Sequence, residues 1–469
     1  MARVALTGSP GELTRAGFRT LVDEAGWSYA ATLDEEVDVL VVGAKPLDSK
    51  VSKARSLGVE VLPFEAFRER LGAPPPRADA PLATAEPQGE LPSLSCTGER
   101  VRVLDVVVRR RAVLDRGSAP RVPSRASFRH YTLDAPTLRQ LRFLARAVRL
   151  GHPCLLEGDT ATSKTSSVRY LAACLGQPVV RVNLNGQTDA TELVGRYVPE
   201  GDGWRFQEGP VPLAMRHGWW LILDEVNLAE PAVLERLNPV LERQPSLLIS
   251  EGDGSLLGPG GEAVHDDFRV FATMNPAEYQ GRSVLSPAWR DRFVATHQAE
   301  APGELELRQM LERVVFGSQP VVDAAGARWL APPSDDAPPF AALASVPGMG
   351  VLLSRVAALH AAAMAMASAV DGQAAALGAG RRERYVFTRR GLLAFLDALS
   401  IELVEPSTGE PEGIADAPAR VVLDALEQRY LAPIRGDDDR ARMHNLLRSL
   451  GLARDHWIDP FVEATCSTP

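Results

Sequence analysis

Apolar residues along this chain alternate between short continuous runs and longer stretches with helical spacing. Val4-Ala5-Leu6-Thr7-Gly8 reads as a buried strand ending in a turn. Leu13 to Ala25 sets Leu13, Phe18, Leu21 and Val22 on one side of a helix. Residues 37–43 predict a second strand, and Ser49 to Leu57 a short helix stopped by Gly58. Val59 to Leu62 predicts a third strand and Phe64 to Leu71 a last helix. Residues 1–72 are therefore expected to form a small α/β domain.

Residues 73–96 are rich in Pro and Ala, including Pro74-Pro75-Pro76, which predicts a semi-rigid linker. A basic arm is expected over 97–134, since residues 97–130 hold nine Arg against three acidic residues. Val101 to Val108 predicts a strand within it. Such an arm either packs, solvated, on the next domain or docks an acidic partner. From Asp134 a helical pattern turns Leu138, Leu141, Ala145 and Val148 inward. Strands follow near Cys154 to Leu156, Val179 to Leu184, Trp219 to Leu223 and Val270 to Met274, with helical stretches between them. That alternation predicts an α/β core over 135–301 with a mostly parallel sheet covered on both faces. Beyond it the strand pattern stops. Ala-rich runs such as Val356 to Ala369 and Gly391 to Leu403 predict a helical domain over 302–469.

Length and composition fit this division. The 469 residues suit about two to four domains. The formal charge of −9 disfavours non-specific nucleic-acid binding by the whole molecule. Cys96, Cys154, Cys174 and Cys466 include no pair with metal-ligand or redox spacing, which suits a reducing cytoplasm. Arg3, Glu12 and Arg15 interrupt any apolar leader, so no signal sequence is expected. No stretch approaches the ~20 apolar residues that span a bilayer, so no membrane span is expected.

The candidate chemistry lies at the ends of the predicted strands. Gly158-Asp159-Thr160-Ala161-Thr162-Ser163-Lys164-Thr165 follows one strand and, with Ser166, opens a helix. This is the context of a P-loop, where backbone N–H groups and the helix N-terminus hold phosphates. Lys164 would pair with the β- and γ-phosphates, and Thr165 would hold Mg²⁺. Ser163 stands where the pattern has Gly, a residue that lets the backbone approach phosphates closely. Trp219-Trp220-Leu221-Ile222-Leu223-Asp224-Glu225 is an apolar strand ending in two carboxylates, the Walker B arrangement. Asp224 would bind Mg²⁺ directly or through water, and Glu225 would polarise the attacking water. Phe271 to Pro276 again ends a strand in polar Asn275.

These motifs resemble AAA+ ATPases, and residues 135 to about 435 resemble the MoxR and dynein-related, midasin-like subfamily. The stretch from Asn275 through Leu285-Ser286-Pro287-Ala288-Trp289-Arg290-Asp291-Arg292-Phe293 carries the likeness. So do Leu193-Val194-Gly195-Arg196-Tyr197 and Trp204-Arg205-Phe206, which resemble the extra hairpin before Walker B, and residues 246–268, which resemble the hairpin before sensor 1. The resemblance implies that Asn275 is sensor 1 and orients water. It implies that Arg292, with Arg290 nearby, is an arginine finger acting on a neighbour's γ-phosphate. In Phe387-Thr388-Arg389-Arg390 it implies a sensor 2 arginine at Arg390, with Arg389 second. ATP and Mg²⁺ would be the cofactors, in a homo-oligomeric, hexameric ring that remodels or assembles a protein partner.

Residues 1–72 resemble a BRCT domain of the type in bacterial NAD-dependent DNA ligase. Leu6-Thr7-Gly8, Arg15, Gly26, Asp38 to Gly43, Ser49-Lys50, Lys53-Ala54, Gly58 and Phe67 carry that likeness. It implies a phosphate site at Thr7 and Lys50, reading a phosphopeptide or a DNA 5′-phosphate, or a domain used for protein contacts alone. Two rival readings remain for the whole chain. One is a clamp-loader-like ATPase, though its Ser-Arg-Cys motif is absent. The other is a nucleotide-binding scaffold with weak turnover, suggested by Ser163.

Overall fold

In the first 93 residues the structure, a computed structural model, describes 3–7, 18–19, 21–22, 28–30, 37, 39–43, 50–51, 53–54, 59–64 and 67. From Leu94 it describes all but 113, 116, 277–284, 323–327, 332–336, 369–376, 379–384, 405–416 and 462–469. The backbone alone is described at 3, 28, 60, 97, 319–322, 328–331, 404 and 417. The chain divides into two compact units, Met1–Ala80 and Pro81–Pro469.

The first unit is built on four parallel strands, β1 (Arg3–Thr7), β2 (Ser28–Ala30), β3 (Val39–Val42) and β4 (Glu60–Pro63), in the order β2-β1-β3-β4. Side chains alternate across the pleat, so each face buries its own set. Val4, Leu6, Val39 and Val41 meet Phe18 and Phe67 on one face. Ala5, Leu40, Ala54 and Val59 pack on the other. The three expected strands are present. β2 was not expected, because Ser-Tyr-Ala is too short to show a period. The expected helices lie partly outside the described residues, and so does the proline-rich stretch 73–93.

The first described elements of the second unit are β5 (Leu94–Thr97), β6 (Arg100–Val103) and β7 (Val106–Arg109), an antiparallel sheet. This corrects two expectations. The boundary at 96/97 falls inside β5, and Val101 to Val108 is two strands, reversed at Leu104 with φ +52°. The segment does pack on the core that follows it, and only one of its faces is solvated. Val101, Val103, Val106 and Val108 join Leu141, Leu144, Leu171 and Cys174 in one core, while Arg100, Arg102 and Arg109 stay outside. Arginines dominate the composition, but the alternate valines decide the burial. The fold also brings Cys96 and Cys174 together, which linear spacing could not show. The Cys174 thiol donates to Cys96, which together with Arg125 and Arg110 pulls the Cys96 pKa down, while Cys174 is pushed up.

The main sheet is parallel, in the order β16-β8-β15-β12-β9. Its strands are β8 (Cys154–Glu157), β9 (Val179–Asn183), β12 (Trp220–Asp224), β15 (Arg269–Met274) and β16 (Ala295–Gln298). β12 is buried at every position, as a strand covered on both faces must be. Leu221, Leu223, Val270 and Ala272 face one core; Trp220, Ile222 and Phe271 face the other. The mixed α/β, parallel-sheet core expected from the alternating pattern is what forms. β16 escaped the pattern because Ala-Thr-His-Gln, on a sheet edge, is only half-buried.

Asp134 caps the helix Ala135–Leu150 by accepting from the Thr137 N–H at 2.9 Å. Between β9 and β12, two short helices, Ala190–Val194 and Pro210–His217, flank the hairpin of β10 (Gly195–Glu200) and β11 (Gly203–Glu208). A second small hairpin, β13 (Leu247–Leu248) with β14 (Leu256–Leu257), precedes β15.

The C-terminal part is mainly helical, with one core formed by the helices Glu304–Phe316, Met349–Ser368, Arg389–Val404, Ala417–Leu426 and Asp437–Ser449. The strand pattern does not stop altogether, since two short antiparallel pairs occur, Gln319–Val322 with Arg328–Ala331 and Leu452–Ala453 with His456–Trp457. Met349–Ser368 also corrects the expectation about apolar length. Its 20 residues are long and apolar enough to cross a bilayer by length and composition. Here they serve a packed core, where Leu352, Leu353, Val356, Leu359 and His360 are all fully buried.

Candidate nucleotide site

The cleft forms where strand ends of the main sheet meet the helical part, and the P-loop, Walker B, Asn275 and the Arg389-Arg390 pair contribute to it, while Arg290, Arg292 and the two hairpins do not. The P-loop leaves β8 at Gly158 and enters the helix Lys164–Leu175. Gly158 has φ +143°, and a Cβ there would lie 2.7 Å from the Ala299 carbonyl, so only glycine fits. Ala161 and Ser163 also take left-handed conformations, at φ +64° and +61°. Ser163 thus holds a backbone shape that suits the glycine of the pattern. Its side chain makes no capping bond to the helix.

Lys164 is buried, and its ammonium bridges the loop to the next strand. It donates to the Gly158 and Asp159 carbonyls, each at 2.7 Å, and to Asn275 Oδ1 at 2.9 Å. Asn275 in turn donates to Glu225 Oε1 at 2.5 Å. Lys164, Asn275 and Glu225 therefore form one polar chain across three strand ends. Glu225 sits at φ +58°, a left-handed position immediately after β12. The backbone N–H of Glu225 donates to Thr273 Oγ1 at 3.3 Å.

The Asp224 carboxylate is 4% exposed and fully engaged. Oδ1 accepts from Thr165 Oγ1 at 2.8 Å and from Thr273 Oγ1. Oδ2 accepts from Arg181, through Nε at 2.8 Å and through Nη2. Arg181 comes from edge strand β9, directly beside β12 in the pairing Ile222↔Arg181. Sequence reasoning missed it, because one arginine in a strand carries no spacing signal until β9 is placed next to Walker B.

Thr165 and Asp224 supply hard oxygen donors of the kind Mg²⁺ takes. Among the described residues no group of three or more His, Cys, Asp or Glu could hold a metal. The donor set therefore suits a Mg²⁺ that keeps phosphate and water oxygens as its remaining ligands, not one held in an all-protein cage.

His130, Tyr131 and Thr132 close the cleft on one side, and Met310, Leu393 and Arg390 on the other. Burial lowers the His130 pKa, which favours a neutral imidazole. Arg389 and Arg390 both line the cleft; Arg389 is tied to the buried Asp134 carboxylate at 2.6 Å, and Arg390 is exposed. Arg290 is paired with Glu157 at 2.5 Å, and Arg292 with Glu242. Neither lines the cleft of its own P-loop. In the first unit Thr7 is buried at the end of β1, and Lys50 is helical.

A parallel sheet with a P-loop after one strand and paired carboxylates after another defines a P-loop ATPase core. Residues 153–293 match the family described as AAA domain (dynein-related subfamily). Midasin of Dictyostelium discoideum is 41% identical over 185 residues, 39% of this chain and 3% of midasin. The denitrification regulatory protein NirQ of Stutzerimonas stutzeri is 30% identical over 198 residues, 41% of this chain and 68% of NirQ. Protein CbbQ of Hydrogenophilus thermoluteolus is 31% identical over 145 residues, 30% of this chain and 51% of CbbQ. The chain thus spans a small fraction of midasin and about half to two thirds of these two shorter relatives. It belongs to the dynein-related subfamily of AAA ATPases.

Proposed function

We propose that this AAA ATPase binds ATP with Mg²⁺ in the cleft, hydrolyses it, and uses the cycle to remodel or assemble a protein partner. The observation that carries the reading is the polar chain Lys164–Asn275–Glu225. It brings a phosphate-binding cation, a water-orienting amide and a carboxylate base to one place. Phosphoryl transfer needs little more from a protein than positioning and charge stabilisation. The P-loop residues Gly158 to Ser166 would enclose the phosphates, with Lys164 exchanging the loop carbonyls for β- and γ-phosphate oxygens. Thr165 and Asp224 would hold Mg²⁺, which neutralises phosphate charge when bound. Glu225 would polarise water held by Asn275, and Arg390, exposed on the cleft, would act as sensor 2.

Assembly into a ring is part of the reading. Arg292, paired with Glu242 and outside the lining of its own cleft, supports a role in a neighbour's site and with it a homo-hexameric ring, while Arg290 is held by Glu157 just before the P-loop. Tyr197 and Trp204, 50% and 71% exposed on the β10–β11 hairpin, support contact with a protein partner. We assign residues 1–72 as a BRCT-like recruiting domain, supported by its four parallel strands and by the buried Thr7 that ends β1, with Lys50 as the second phosphate-binding residue. The boundary of the ATPase core near 301 and of the helical lid beyond it belongs to the same reading.

Steady-state turnover and nucleotide binding test the site. Glu225→Gln should retain ATP and abolish turnover, because the phosphate contacts stay while the base is lost. Lys164→Ala should lose binding. Wild-type turnover in Glu225→Gln would remove Glu225 from the reaction.

A further inference from the structure

Arg181 is a cation of the cleft that the roles assigned above leave unused. It is half-exposed, lines the cleft, and grips one oxygen of a carboxylate that is itself nearly inaccessible. The other oxygen is taken by two threonine hydroxyls. Asp224 therefore presents no free oxygen to a cation. A divalent ion entering alone would have to displace a two-point guanidinium contact from a carboxylate of low exposure. It would also sit beside that positive charge with no phosphate to offset the repulsion.

We propose that Arg181 is a positioning residue that competes with the metal for Asp224, so that the site accepts a divalent cation only together with a nucleoside triphosphate. The inference rests on the nucleotide-site reading and adds an order of events to it. A triphosphate brings several negative charges into the cleft. Those charges attract the metal and also offer the guanidinium a new planar acceptor, for which arginine is suited. Arg181 can then leave Oδ2 without losing its charge partner, and Asp224 becomes available. The main chain favours such an exchange. Arg181 and Asn183 are alternate residues of an edge strand, and both line the cleft. The guanidinium can therefore move from carboxylate to phosphate by side-chain rotation alone. The neighbouring Thr165–Asp224 bond has the same character, since that hydroxyl must turn from donor to metal ligand.

The test uses Mn²⁺ as the probe, read by electron paramagnetic resonance on the full chain without nucleotide. Wild type should bind Mn²⁺ weakly at this site. Arg181→Gln should bind it about tenfold or more tightly, the typical worth of one charge-assisted bond removed from competition. Arg181→Gln combined with Asp224→Asn should lose that gain, which assigns it to this carboxylate. Arg181→Lys, which keeps the charge, should stay near wild type. Equal Mn²⁺ affinity in wild type and Arg181→Gln overturns the proposal, as does a gain that survives Asp224→Asn. Binding of a fluorescent ATP analogue to wild type and Lys164→Ala is measured in parallel. If Lys164→Ala binds the analogue as wild type does, the nucleotide-site reading fails, whatever Mn²⁺ does.

Discussion

Ser163→Gly tests how the P-loop is held. The Ser163 backbone is left-handed, at φ +61° and ψ +19°. A residue with a Cβ loses about 1–2 kcal/mol in that conformation. Glycine escapes the strain but gives up roughly 0.5–1 kcal/mol through its freer unfolded chain. The polar bonds at this position use the carbonyl, which accepts from Ser167 Oγ at 2.8 Å and Gln140 Nε2 at 3.3 Å, and glycine keeps both. The net expectation is a gain of about 0.5–1 kcal/mol, or roughly 1–4 °C in Tm for a domain of this size. Nucleotide affinity should be unchanged or tighter. Differential scanning calorimetry and calorimetric binding of a non-hydrolysable ATP analogue provide the two readouts. Ser163→Ala is the control, because it removes the hydroxyl and keeps the Cβ. Equal stabilisation by Ala and Gly would refute the strain argument. A loss of affinity of about tenfold or more would mean that the hydroxyl donates to a phosphate, a bond worth roughly 1.5–3 kcal/mol.

Subunits carrying Arg292→Ala, inactive alone, should regain turnover when mixed with Glu225→Gln subunits, since some interfaces then pair an intact Glu225 with an intact Arg292. An arginine finger contributes about 10³-fold or more in rate. Full-rate hydrolysis by a dilute monomer would rule out action in trans. For the first unit, Lys50→Ala should weaken binding of a phosphopeptide or a 5′-phosphorylated DNA by about 1.5–3 kcal/mol. No binding of either ligand to the wild-type chain would leave protein contact as its role.

Much of this protein is readable along the chain because its signals are local. The parallel-sheet core follows from apolar runs such as Trp219 to Leu223 alternating with helical stretches. The P-loop and Walker B follow from residues that must sit side by side in sequence, since one turn and one strand end supply their chemistry. Asp134 as a helix cap, with Gly151 in a left-handed conformation after the helix, is equally local. What tertiary structure decided are the encounters between distant segments. The basic stretch after residue 97 looked solvated by composition, yet its alternate valines had a hydrophobic surface to meet once the helices Ala135–Leu150 and Lys164–Leu175 were placed. Cys96 and Cys174 meet for the same reason. Arg389 and Arg390, neighbours in sequence, differ for the same reason: both line the cleft, but the buried Asp134 carboxylate holds Arg389 and leaves Arg390 exposed. Arg181 shows the limit most clearly. It is an ordinary strand residue until the sheet order sets β9 against β12, and the register then places its guanidinium on Asp224.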